Sequence, residues 1–169
     1  MHMPDSKKIS ITALFTAFAV ILSYIETLIP AIGIPGVKLG LANFAIVLAL
    51  YFLGYKAGIT INIIRIIIIG AFFGNLFSIY FSIAGAVISY AVMALLKKTE
   101  KVSMITVAIV GGVFHNIGQI IIAFFVVDTY GVFTYIPVLI ISGIITGSII
   151  GILADIIYKR TKHILSKII

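Results

Sequence analysis

Cysteine is absent from the 169-residue chain. That absence removes disulfides, thiolate metal sites, cysteine nucleophiles, iron–sulfur ligation and c-type haem attachment together. Acidic residues are nearly missing too: Asp5, Glu26, Glu100, Asp128 and Asp155 are the whole set. No two of them stand close in sequence, so two-metal phosphate chemistry finds no ligand set here. No Walker-type phosphate loop occurs, and any nucleotide energy must come from a partner. Charged residues make up 10% of the chain, against about 25% in ordinary globular domains.

What fills the chain instead is apolar. Hydrophobic residues reach 62% and the mean hydropathy is +1.29, which excludes a water-soluble fold. A membrane-spanning helix takes about 20 residues, so six spans use almost the entire length and leave no room for a soluble catalytic domain. Residues 1–169 read as a single integral membrane domain. The first apolar run, Ile9 to Ile29, is too long for a signal-peptide core and is expected to be retained. The net charge of +7 does not point to nucleic acid, because the basic residues sit at the ends of apolar runs and not on one polar face.

Turn signals divide the chain into six segments, at about 9–29, 37–53, 57–75, 77–96, 102–127 and 134–158. Helices are required because lipid cannot satisfy an open backbone, and no alternating barrel pattern is present. The fold class is therefore all-α, with six transmembrane helices. An even number of spans puts both termini on the side of the 54–56 and 97–101 loops. That side holds ten of the twelve Lys and Arg residues, so it is expected to be cytoplasmic in a plasma-membrane protein. Lys38 and Arg65 are the two exceptions.

Ionisable groups inside a bilayer cost a few kcal/mol on insertion scales and mark function by default. Arg65 falls near the middle of its segment and must face the bundle interior, to meet either a ligand or Glu26 in a salt bridge. Glu26 lies nine residues after Ala17, which at about 100° per residue sets it on the opposite face of the first helix. The fifth helix carries His115, Asn116 and Gln119 within one and a half turns, either lining a polar cavity or joining helices. Together with Lys38, Asn43 and Asn75 these residues are expected to line one pocket opening to the outside, under a loop at 30–37 that holds two prolines. The basic excess among them favours a ligand with negative charge, carboxylate or phosphate. No catalytic residue, metal site or cofactor is called for.

Small residues also recur four apart, as Ala13/Ala17, Gly70/Gly74 and Gly143/Gly147/Gly151. In lipid such stripes let backbones approach, for internal packing or for docking another membrane protein.

The stretch from Ile34 to Asn43, then Gly54, Arg65, Gly70-Ala-Phe-Phe-Gly-Asn75 and His115-Asn-Ile-Gly-Gln119, resembles the bacterial membrane family called Gx transporters, often labelled heptaprenyl diphosphate synthase component I. That family is similar to the substrate-binding S components of energy-coupling-factor (ECF) transporters, six-helix proteins that capture vitamins or cofactor precursors. The resemblance implies an ECF S-component-like bundle in which Ala13 and Ala17 dock a coupling subunit driven by two ATPases. It implies too that the 30–37 loop gates a small-molecule site. Prenyl synthases hold magnesium diphosphate with clustered aspartates, which this chain lacks, so it is not expected to be an enzyme by itself. A second reading is a non-catalytic accessory subunit beside a prenyl synthase, in polyprenyl diphosphate and menaquinone synthesis or flavin-linked electron transfer. A third is a homodimer formed through Gly143/Gly147/Gly151.

Overall fold

The computed structural model describes residues 5–29, 39–127 and 130–168. Six helices follow in order: α1 (Asp5–Leu28), α2 (Leu41–Leu53), α3 (Tyr55–Phe73), α4 (Leu76–Thr99), α5 (Met104–Val127) and α6 (Ile136–Ile168). A short 3-10 turn at Tyr130–Tyr135 leads into α6. All but α2 are long and apolar enough to cross a membrane. The chain is a multi-pass, all-α membrane protein.

Most element boundaries shift by a few residues from the sequence expectation, and two of the shifts have a local reason. The second helix starts at Leu41 and not near 37, because Gly40 sits in the left-handed region at φ 73°, where a helix cannot run. At 13 residues it spans about 20 Å, well short of a hydrocarbon core of about 30 Å. It does not need to reach. Ala45, Ile46, Val47, Ala49 and Leu50 are all fully buried, so α2 is the core that the longer helices surround. The sixth helix continues to Ile168, ten residues beyond the expected end. No glycine or proline follows Gly151, so nothing stops it where the apolar run gives way to Lys159, Arg160 and Lys162. Rings of Tyr158 and Phe52 lie 4.9 Å apart, which sets Tyr158 beside the last turn of α2. The rest of α6 therefore runs past that end of the bundle.

Tight joints hold the register. A lone Gly54, at φ 85°, separates α2 from α3, a conformation that side chains rarely adopt. Asn75 opens α4 through a capping box with Ser78. At the basic end, Lys97 Nζ donates to the Leu50 carbonyl at 2.6 Å and lies over the Tyr51 and Tyr55 rings. A cation at the closing carbonyls of α2 complements the negative end of its dipole. Tyr90 OH donates to the Tyr55 carbonyl at 2.6 Å, and Ser89 Oγ to the Gly111 carbonyl at 2.7 Å, so α4 is tied to α3 and α5 by hydroxyls reaching backbone.

The α5–α6 seam is a backbone contact. A Cβ placed on Gly143, Gly147 or Gly151 would lie 2.9, 2.7 or 2.8 Å from the Cα of Val113, Ile109 or Ile105. Such distances are too short for real Cβ atoms, so only glycine fits. All three glycines are buried, and the stripe is consumed inside the bundle. It is not available for the homodimer that the sequence left open.

Candidate functional site

Arg65 lies ten residues into α3 and eight before its end, the middle of the membrane by helix geometry. It is 7% exposed. Its Nε donates to Asn62 Oδ1, one turn earlier, at 3.0 Å. A guanidinium carries five donors in a fixed fork, so this bond leaves its terminal nitrogens for other partners. Glu26 on α1 supplies the opposing charge that acts on it. The two are not in ion-pair contact: one Glu26 carboxylate oxygen accepts from the Gly40 backbone N–H at 2.5 Å, where the chain enters α2.

Two hollows meet at this pair. The larger, about 140 Å³, lies between α1, α3 and α4 and is lined by Ser23, Glu26, Thr27, Arg65, Ser78 and Ser82 among others. The smaller, about 40 Å³, reaches toward α5 and is lined by Glu26, Asn43, Arg65, Ser82, His115 and Asn116 among others. Burying polar groups without partners costs several kcal/mol in an apolar medium. A hollow with this lining is therefore suited to polar contents.

The structure brings most of the sequence candidates together. Arg65, Glu26, Asn43, His115 and Asn116 all line the paired hollows. The His115 imidazole is seated against Gly85: a Cβ there would lie 2.9 Å from its Cε1 and Nδ1. Asn116 has a second occupation, because its Nδ2 donates to the Leu139 carbonyl on α6 at 2.7 Å. The helix-joining reading thus applies to it along with the cavity reading. Gln119 is buried but lines neither hollow, since one further turn of α5 carries it past them.

Asn75 requires a correction. Its side chain accepts from Ser78 N at 2.8 Å, while its own N–H is bonded to Ser78 Oγ at 3.1 Å. The residue is exposed and serves as the cap of α4. Lys38 and the 30–37 loop lie outside the described residues.

Sequence reasoning missed Ser23, Thr27, Ser78, Ser82 and Asn62. Ser23 was legible, since it precedes Glu26 by three residues and shares its helix face. Asn62 stands in the same relation to Arg65. Ser82 offered no comparable signal, because its approach depends on how α4 packs against α3. Among the described residues no group of three or more His, Asp and Glu side chains is placed to hold a metal ion.

On the other side of α1, Ala13 and Ala17 are exposed. They line an open apolar groove of about 590 Å³ with Thr12, Thr16, Ile64 and Ile68. The bundle-facing side of the same helix buries Ala19 and Ser23. One helix thus turns a carboxylate inward and an alanine face outward.

A family model described as heptaprenyl diphosphate synthase component I matches residues 15–157, which span α1 to α6. No curated protein and no solved structure matches the chain.

Proposed function

Since the chain belongs to the heptaprenyl diphosphate synthase component I family, we propose that it is a non-catalytic membrane subunit that captures a small polar molecule in the hollow at Arg65. One observation carries this reading. A buried guanidinium, its Nε bonded to Asn62, lines a hollow together with four hydroxyl side chains, while its carboxylate neighbour is bonded to the Gly40 N–H. A group that costs so much to bury is expected to have a partner, and a bound ligand supplies it. Arg65 anchors the ligand, and Glu26, Asn43, His115 and Asn116 orient it.

The site lies toward the end of the bundle opposite the basic residues. With the basic end cytoplasmic under the positive-inside rule, both termini are cytoplasmic and the hollow opens to the outside of the plasma membrane. The exposed Ala13/Ala17 face docks a membrane partner, an ECF-type coupling subunit with its ATPases, because small residues allow close approach of a second helix.

The test is mass spectrometry of small molecules that co-purify with the native protein and with Arg65→Ala. Capture predicts a species present in the first and absent from the second; an identical, empty profile overturns it. The family description supports a second reading, an accessory subunit of a prenyl synthase. Co-purification with a soluble prenyl synthase, unaffected by Ala17→Leu, selects it over transport.

A further inference from the structure

The α1 side chains of the larger hollow and Arg65 across from them differ in hydrogen-bonding sense, and that contrast suggests the ligand's charge pattern. On α1, Ser23 Oγ donates to the Ala19 carbonyl at 2.7 Å and Thr27 Oγ1 to the Tyr24 carbonyl at 2.6 Å. Their hydrogens are engaged by their own helix, so both oxygens are left as acceptors. Between them stands Glu26, whose second oxygen is also an acceptor. Across the hollow, Arg65 is donor only. One wall asks for hydrogen-bond donors with positive charge, and the other for an anion.

We propose that the hollow is a site for a small zwitterion, an ammonium-type group on the Ser23–Glu26–Thr27 wall and a carboxylate or comparable anion on Arg65. This deepens, and rests on, the capture reading above. Two arguments favour a dipolar ligand over the plain anion that the sequence suggested. Among the described residues, the charged side chains lining this hollow are one cation and one anion, so an anion alone would face Glu26 and a cation alone would face Arg65, each with a repulsive neighbour. A zwitterion also adds no net charge to a membrane-embedded site, where uncompensated charge is most costly. The volume agrees as well. At a share of about 30 Å³ per water, 140 Å³ holds roughly five waters, below the 300–1,000 Å³ typical of sites for larger organic ligands.

The experiment is a melting series on the purified full-length protein in detergent. Glycine, β-alanine and 4-aminobutyrate vary the distance between the charges; propionate and propylamine each carry one charge. Ligands that bind the folded state raise Tm by mass action. The expected result is that at least one zwitterion raises Tm at a concentration about tenfold or more below that needed for propionate or propylamine. In Glu26→Gln that advantage over propionate should collapse. If the variant does not fold, the wild-type series decides alone. Propionate equalling the best zwitterion, an advantage preserved in Glu26→Gln, or no shift with any zwitterion overturns the proposal. Mass spectrometry separates this from failure of the capture reading: a co-purified species bearing one charge only removes the zwitterion and keeps capture. Nothing co-purified and no shift removes both.

Discussion

Two stripes of small residues with the same four-residue spacing have opposite fates in this bundle. On α6, Gly143, Gly147 and Gly151 are buried against the backbone of α5. On α1, Ala13 and Ala17 face outward along an open apolar groove. Spacing alone does not separate them. What separates them is the side chain and its surroundings: glycine permits contact at backbone distance, where a Cβ would be 2.7–2.9 Å from a neighbouring Cα. On α1 the buried Ser23 and half-buried Glu26 commit the other face to the interior. The C-terminal half is closed by backbone contact, whereas the N-terminal half keeps a groove outside and a hollow inside.

The largest effect should come from filling the closed seam. Gly147→Leu is expected to abolish the folded bundle, read as loss of a monodisperse species in detergent. Gly147→Ala should cost about 1–3 kcal/mol through overpacking. Ala17→Leu adds similar bulk to a face that is exposed among the described residues and should leave thermal stability within about 0.5 kcal/mol of wild type. If the two leucine variants melted alike, the distinction between seam and open face would fail. Where a coupling partner is present, Ala17→Leu should still lose it in co-purification while retaining the bound small molecule.

The hollow provides the next contrast. If an anionic group of the proposed ligand sits on Arg65, Arg65→Ala should cost about 2–5 kcal/mol of ligand affinity. Lys56→Ala, an exposed cation at the basic end, should change ligand binding by no measurable amount. Equal losses from both variants would mean that net charge, and not the buried guanidinium, governs binding. Asn116→Ala should be milder. It deletes one interhelical hydrogen bond to the Leu139 carbonyl, of a kind worth about 0.6 and at most about 1.7 kcal/mol in membranes. A drop in melting with unchanged ligand affinity would assign Asn116 to joining helices, and the reverse to the site.

Legibility in the sequence followed the range of the interaction. The apolar runs predict the membrane helices, because lipid imposes the same demand on every span. Glu26 and Ala17 could be put on opposite faces by helix geometry alone, and α1 buries Ser23 while exposing Ala17. The short, central role of α2 was hidden, because it depends on Gly40 adopting a left-handed backbone and on the longer helices surrounding Ile46 and Leu50. The extension of α6 past Tyr158 was hidden for a different reason: hydropathy marks where lipid ends, not where a helix does. In the site, residues one turn from a recognised charge were readable in principle. Ser82 and the fate of the glycine seam required knowledge of which helices touch.

Asn75 offers the smallest and sharpest discrimination. Sequence reading set it in the pocket; the structure gives it the N-cap of α4, with reciprocal bonds to Ser78. These two occupations predict different responses to one pair of substitutions. A cap is satisfied by any side chain that accepts from the backbone N–H groups of the first turn, and aspartate does so about as well as asparagine. Asn75→Asp should therefore keep the melting temperature near wild type, whereas Asn75→Ala should lower stability by about 1 kcal/mol. Ligand affinity should be unchanged in both. A pocket residue would behave otherwise, since a new carboxylate near an anion-binding guanidinium changes affinity whatever it does to the helix. Loss of affinity in Asn75→Asp with stability preserved would return Asn75 to the site, and would extend the N-terminal hollow to the start of α4.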